Sequence, residues 1–261
     1  MAGTKLGYIA LTDSAPLIIA QEKGFFACHG MTEMQIEKQA NWGATRDNMA
    51  LGSARGGIDG GHILRPGTHL YATGKVTQNN IPLPMYTLLS LNEQRQGISA
   101  TQAYADTGAG LDSSPLKEVF AARRAAGGEI PVAMTFPGGT HDLWMRYWLA
   151  AGGIDLTTDV DLIVVPPPQM VANMKVGNME AFCMGEPWNE QLVNQGIGFT
   201  ACTTGEIWGK HPEKTLGMRA DWVDANPNPT KAILTAVMKA QIWCEDAANK
   251  HEMAKILPGR Q

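Results

Sequence analysis

Strand-like and helix-like segments alternate regularly along much of this chain of 261 residues. The strand-like "KLGYIAL" is followed by the helix-like "PLIIAQEKGFFACHG". The strand-like "TEMQIEKQ", the short helical "TRDNMALG" and the strand-like "GGIDGGHIL" and "IPLPMYTLLSL" come next. Strands that alternate with helices are typical of α/β proteins. The pattern therefore predicts a mostly parallel sheet covered by helices.

The alternation stops at a polar stretch over residues 93–113 and then begins again. "IPVAMTF", "VDLIVVP" and "MEAFCM" are predicted strands, and "HDLWMRYWLAAGG" and "PQMVANMKVG" are the predicted helices between them. The restart predicts two lobes. We expect a discontinuous first lobe over residues 1–94 and 205–261, and a second lobe over residues 95–204. A cleft between two such lobes is a usual place for a small ligand.

Composition and charge exclude several classes of protein. The chain is 44% hydrophobic and 18% charged, which is ordinary for a globular protein. A net charge of −4, without a basic run, argues against a nucleic-acid partner. No apolar run is long enough for a membrane span, and no signal peptide precedes the first strand. We expect either a cytoplasmic protein or a mature exported protein that was given a new start codon.

The sequence contains no recognisable catalytic or metal-binding pattern. Its four cysteines show neither CxxC spacing nor a zinc pattern, so no metal is predicted. The motifs of serine hydrolases, zinc proteases, P-loop proteins and dinucleotide-binding enzymes are all missing. Nothing here favours an enzyme, and no cofactor is predicted.

The glycine-rich bend in "TFPGGTHDLWMRYWLAAGGID", residues 135–155, is a candidate anion site. The first N–H groups of a helix lack internal partners and carry partial positive charge, and glycines let a ligand approach the backbone. Thr140 and His141 add a hydroxyl and an imidazole as donors. Asp142 in the first turn is equally compatible with plain helix capping. Taken alone, the residues leave both interpretations open.

Other polar candidates are individually weaker. Gly185 lies in "CMGEPWNEQL", where a predicted strand ends and Pro187 begins a helix. Trp42 is predicted in the loop "NWGATRDN", and its indole N–H is a donor with no acceptor. On its own, Lys214 is predicted to be a solvated surface lysine and Gln96 an ordinary polar residue.

Taken together, these segments resemble the nitrate- and bicarbonate-binding solute receptors of cyanobacterial-type ABC transporters. The resemblance runs over about residues 6–257, and the nitrate receptors are more similar than the bicarbonate receptors. It rests on the glycine bend and on "LTDSAPLIIAQEKGFF", "NWGATRDNMALGS", "GGIDGGHIL", "TGKVTQNN", "VVPPPQMVANMKVGNMEAFCMGEPWN" and "HPEK…RADWV". It implies the two-lobe periplasmic binding protein fold of the second type, with the ligand held in the cleft between the lobes.

Carried over residue by residue, the resemblance implies an anion pocket of hydrogen-bond donors and one positive charge. Its implied members are Trp42, Gln96, Thr140, His141, Gly185 and Lys214. Nitrate has three acceptor oxygens and no hydrogen to donate, so such a pocket suits it. The bicarbonate receptors use a carboxylate with calcium at the position of Lys214. Because Glu213 supplies a carboxylate next to Lys214, a bicarbonate receptor is the alternative.

The implied function is capture of nitrate, with nitrite as a second ligand, for the membrane subunits of an ABC transporter in nitrate assimilation. The implied location is the periplasm, with a lipid anchor on a full-length precursor that tethers it to the inner membrane. The family continues through a further C-terminal segment. A cytoplasmic nitrate sensor that signals through a protein partner is the alternative if the native chain begins at Met1.

Overall fold

The structure is a computed structural model that describes residues 4–94 and 96–260. Within these residues the chain forms ten β-strands and twelve α-helices. The strands are β1 Lys5–Tyr8, β2 Gln35–Lys38, β3 Gly60–Leu64, β4 Met85–Ser90, β5 Gln96–Thr101, β6 Pro131–Met134, β7 Asp161–Val164, β8 Ala181–Gly185, β9 Gly198–Thr203 and β10 Lys214–Arg219. The helices are α1 Ala15–Glu22, α2 Phe25–Cys28, α3 Trp42–Leu51, α4 Arg65–Ala72, α5 Pro115–Ala125, α6 Thr140–Ala151, α7 Met170–Lys175, α8 Trp188–Asn194, α9 Thr204–Ile207, α10 Ala220–Ala225, α11 Pro227–Glu245 and α12 Lys250–Ile256.

Contacts divide the chain into two compact units. The first unit comprises the described residues of Met1–Glu93 and Pro212–Gln261, and the second comprises those of Gln94–His211. The second division falls after residue 211, whereas the sequence pattern placed it after residue 204 and gave residues 205–211 to the first lobe. The reason is local, because the N–H of Gln94 donates to the carbonyl of His211 at 3.0 Å and α9 follows β9 directly. The predicted start of the second lobe, residue 95, lies outside the described residues.

The first unit contains a mixed sheet with the strand order β2-β1-β3-β10-β4. β1 runs parallel to β2 and β3, but β10 is antiparallel to both β3 and β4. The prediction of a mostly parallel sheet is therefore wrong for half of the strand pairs. A β-α-β succession makes consecutive strands parallel, whereas β10 enters the sheet between β3 and β4 from a distant part of the chain.

The second unit has the corresponding arrangement, with the strand order β7-β6-β8-β5-β9. β6 is parallel to β7 and β8, while β5 is antiparallel to β8 and β9. β5 lies in the polar stretch over residues 93–113, and β9 was not among the predicted strands. Because β5 is paired on both sides, its five residues from Gln96 to Ala100 are buried despite their mixed polarity.

The core of the first unit forms where α1 and α11 pack on the sheet. Ile233 and Val237, which lie four residues apart on one face of α11, are fully buried. Trp243 packs at the edge of this core, whereas Ile242 is 72% exposed. No helix in the described part of the chain combines the length and apolar character needed to cross a bilayer.

Two helix boundaries differ from the sequence prediction. The long helix expected after β1 is divided into α1 and α2 at Gly24, whose φ of +70° favours glycine. The predicted helix "TRDNMALG" begins at Thr45, but α3 begins earlier, at Trp42. The reason is that the side chain of Asn41 accepts a hydrogen bond from the Ala44 N–H at 2.8 Å and caps the helix. Trp42 is therefore the first helical residue and not a loop residue.

Candidate anion-binding site

In the first unit, Trp42 presents a buried hydrogen-bond donor. Its side chain is completely buried, and its Nε1 has no hydrogen-bond partner among the described residues. The indole packs against the imidazole of His62 with a centroid distance of 5.6 Å. A buried donor without a partner costs about 1–3 kcal/mol. An acceptor atom from a ligand would remove that cost.

Lys214 is the first residue of β10 and is completely buried. From the residues alone it was expected to be a solvated surface lysine, and that expectation is wrong. Its Nζ lies 2.9 Å from Asp13 Oδ2 and 2.9 Å from Glu213 Oε2. The other oxygen of Asp13 lies 2.8 Å from His62 Nε2. These four residues, which we call the Lys214 cluster, connect Lys214 to the imidazole that packs on Trp42.

Electrostatics hold Lys214 and Asp13 in their ionised forms. Burial alone would lower the pKa of Lys214, but the carboxylates of Asp13 and Glu213 outweigh burial and raise that pKa to about 12. Burial would likewise raise the pKa of Asp13, but Lys214 and His62 outweigh burial and hold it well below its usual range. At neutral pH the charge of Lys214 is thus already balanced inside the protein.

In the second unit, β-sheet pairing brings Gln96 and Gly185 together. Gln96 is the first residue of β5, is only 1% exposed, and pairs with Gly185 at the end of β8. The side-chain amide of Gln96 donates from Nε2 to Thr140 Oγ1 at 3.2 Å, and Cys183 Sγ lies 3.7 Å from Gln96 Oε1. Gln96 is therefore a buried strand residue in contact with the start of α6.

The glycine bend leads into α6, a helix of twelve residues whose cap residue is Gly139. Thr140 and His141 occupy the first turn and are both buried. The Nδ1 atom of His141 lies 2.8 Å from Thr135 Oγ1, which orients the ring. The positive end of the helix dipole and two side chains that can donate hydrogen bonds thus converge here.

Asp142 belongs to the bend itself. Its carboxylate accepts a hydrogen bond from the Gly138 N–H at 2.8 Å and pairs with Arg146 Nε at 2.6 Å. Asp142 does not cap α6, which has no side-chain cap, but its charge is engaged by the turn before the helix and by Arg146. This role leaves Thr140 and His141 as the candidate ligand donors of α6.

Each unit thus gathers its own predicted site residues. Trp42 and the Lys214 cluster lie in the first unit, and Gln96, Thr140, His141 and Gly185 lie in the second. Sequence reasoning missed Asp13 and His62 as neighbours of Lys214. A signal for this contact was available: Asp13 follows β1, and His62 lies on β3. Because β1 and β3 pair in the sheet, residues at these positions come close together. In the described residues, no group of three or more His, Cys, Asp or Glu side chains is arranged to hold a metal ion.

Two curated proteins that are similar to this chain are named for the anions that they bind. The chain is 59% identical to the nitrate/nitrite binding protein NrtA of Synechocystis sp. over 98% of its own length and 56% of that protein. It is 43% identical to the bicarbonate-binding protein CmpA of Synechococcus elongatus over 98% of its own length and 57% of that protein. The chain therefore spans little more than half the length of these curated relatives.

Among solved structures, the crystal structure of the periplasmic nitrate-binding protein NrtA from Synechocystis matches with a TM-score of 0.93 and 58% identity. That match covers 98% of this chain and 66% of the solved chain. The predicted resemblance and the predicted α/β class with the two-lobe periplasmic binding protein fold are confirmed. The model of the NMT1-like family matches residues 2–258, so the chain belongs to that family.

Proposed function

We propose that this chain is the ligand-binding part of a solute receptor that captures nitrate, with nitrite as a second ligand, for an ABC transporter. The observation that carries the proposal is the fully buried indole N–H of Trp42, which lacks an acceptor among the described residues. The NrtA relative, 59% identical, is named for nitrate and nitrite binding, which supports the same ligand. A receptor of this kind binds and releases its ligand without chemical change, so we propose no catalysis.

The chemistry of nitrate matches the donors that we assign to it. Nitrate offers only acceptors, and we propose that it is held by Trp42, Gln96, Thr140, His141, the backbone N–H of Gly185, and Lys214. An ammonium group has three N–H donors. Two of the three N–H donors of Lys214 are directed at Asp13 and Glu213, so the third remains for an anion.

The expected affinity follows from the number of such bonds. A hydrogen bond to a charged group contributes about 1.5–3 kcal/mol. Three or four of them, reduced by the free-energy cost of association, correspond to about −8 kcal/mol, which is a dissociation constant of about 1 μM. The dipole of α6 adds only about 0.3–2 kcal/mol, so it assists binding without dominating it.

We further propose the location and partners that the resemblance implies. The Synechocystis protein of known structure is periplasmic, and we extend that location to this protein. Its proposed partners are the membrane subunits of the transporter, with a lipid anchor on the full-length precursor. Binding of this chain to transporter subunits in detergent would test the partner assignment.

A bicarbonate receptor is the second candidate, and two observations favour it. The chain is 43% identical to a bicarbonate-binding protein, and Glu213 supplies a buried carboxylate next to Lys214. A carboxylate can accept the O–H of bicarbonate or coordinate calcium. We rank this candidate second because Lys214 Nζ already engages Glu213 at 2.9 Å. It predicts that binding depends on calcium.

Isothermal titration calorimetry separates these candidates. The purified chain is titrated with nitrate, nitrite, and bicarbonate with and without calcium, and the series is repeated on Trp42→Phe and Thr140→Val. We expect micromolar nitrate binding by the unmodified chain. Loss of one charged hydrogen bond weakens each variant roughly 10- to 150-fold. Trp208→Phe, at a tryptophan that is 63% exposed, is the matched control and keeps the original affinity.

Two results would contradict the nitrate assignment. One is a folded chain that binds none of these anions. The other is binding of bicarbonate alone, with an absolute requirement for calcium. Equal nitrate affinity in Trp42→Phe and the unmodified chain would remove Trp42 from the site.

A further inference from the structure

The charge of Lys214 is offset by its own neighbours. Two carboxyl groups, those of Asp13 and Glu213, contact the single ammonium of Lys214. Lys214 and Glu213 are completely buried, and the side chain of Asp13 is 11% exposed. Lys214 therefore offers a directed N–H donor without offering an uncompensated charge.

This charge balance has different consequences for anions of different charge. In a buried site, the interaction of two unit charges is several times stronger than in water. An anion near Lys214 is attracted by the ammonium and repelled by the two carboxylates behind it. A monoanion such as nitrate loses little binding free energy through this repulsion, because N–H and O–H donors satisfy its oxygens. For a divalent oxyanion such as sulfate, the attraction and the repulsion both double, so the balanced charges give it little additional gain, while its hydration energy, which it must give up, is several times larger.

We propose that Asp13 is a specificity-determining residue, whose carboxylate offsets the charge of Lys214 and so restricts the site to monovalent oxyanions. The inference rests on the proposed function, because that proposal puts the anion at Lys214. Discrimination by an unfavourable interaction with the wrong ligand is a general route to specificity. Asp13 suits this role because it contacts Lys214 on one oxygen and His62, the neighbour of Trp42, on the other.

The test compares nitrate and sulfate binding in the unmodified chain and in Asp13→Asn. The substitution keeps the shape of the side chain and removes one negative charge beside Lys214. Calorimetry at constant ionic strength should show sulfate affinity rising relative to nitrate affinity on the order of tenfold or more. Glu33→Gln removes a carboxylate from an exposed position of the same unit and should leave that ratio unchanged.

The outcomes distinguish this inference from the proposed function. If the unmodified chain binds nitrate and Asp13→Asn leaves the sulfate-to-nitrate ratio unchanged, only this inference is overturned. An equal loss of affinity for both anions also overturns it, because Asp13 would then merely orient Lys214. If the folded, unmodified chain binds neither nitrate nor any other monovalent oxyanion, both proposals fall. Should Asp13→Asn not fold by circular dichroism, Glu213→Gln removes the second carboxylate and carries the same expectation.

Discussion

Replacing Lys214 by methionine should destabilise the first unit strongly at neutral pH. The substitution keeps most of the side-chain volume but leaves the carboxylates of Asp13 and Glu213 buried without their common counter-ion. Removing one partner of a buried ion pair typically costs 3–5 kcal/mol, because an uncompensated charge remains. For domains of this size, each kcal/mol lowers the melting temperature by about 2–4 °C. We therefore expect a decrease of roughly 6–20 °C in the Lys214→Met variant.

The destabilisation should become smaller as the pH falls. In the original chain, Lys214 and His62 hold the pKa of Asp13 below its usual range, so Asp13 stabilises the fold above about pH 4 and loses that contribution as the pH falls further. Without Lys214, the effect of burial dominates and raises the pKa of this carboxyl. The folded variant then binds protons more readily than the unfolded chain, and its stability increases as the pH decreases towards about 4. The pKa of Lys214 is raised to about 12, so in the original chain its contribution is fully present at neutral pH and is lost only as the pH rises through that value.

Urea denaturation at pH 7.5 and pH 4.5, followed by circular dichroism, measures both effects. Lys239→Met, at an exposed position of α11, is the matched control and should change the free energy of unfolding little at either pH. The double variant Lys214→Met with Asp13→Asn should recover part of the loss, because one uncompensated charge is gone. If Lys214→Met is as stable as the original chain at pH 7.5, or if its deficit is the same at both pH values, the account of the Lys214 cluster is refuted.

Two further substitutions test the packing of each unit. Trp148→Phe should lower the free energy of unfolding by about 1–3 kcal/mol in chemical denaturation, because it removes the indole N–H that donates to the carbonyl of Gly110 at 2.9 Å and leaves unfilled space in the core of the second unit. Unchanged stability would contradict that role. Gly61→Ala should cost about 3 kcal/mol or more in a thermal melt, because its Cβ would lie 2.1 Å from the carbonyl oxygen of Gly7. Gly56 also has a positive φ, but a Cβ added there would meet no atom within 4 Å, so Gly56→Ala is the control. An equal loss of stability in both variants would contradict the steric argument.

The parts of the fold that the sequence could predict are those with strong local patterns. β6, β7 and β8 were predicted because each lies in a short apolar run bounded by turn residues. β5 and β9 were missed because "QGISAT" and "GFTACT" mix small and polar residues, and their strand conformation depends on pairing with each other and with β8. Local propensity is a weak guide where tertiary pairing determines the conformation.

The candidate site shows the same division. The start of α6 is visible in the sequence, because the glycine bend and the residues that follow it are contiguous. The environment of Lys214 is visible only in part, because Glu213 is its neighbour in sequence, whereas Asp13 comes from a distant part of the chain and also contacts His62 on β3. The resemblance indicated that Lys214 mattered, but not that its charge is balanced.

The α/β class, the two-part organisation and the family can be inferred from the sequence, because hydrophobic periodicity and contiguous motifs are local properties of a chain. The mixed sheets, the buried N–H of Trp42 at the start of a helix, and the contact of Asp13 with Lys214 become apparent only in the folded protein. Strand pairing, burial and ion pairing of this kind join residues that are far apart along the chain. Their energies depend on distances that no linear pattern records.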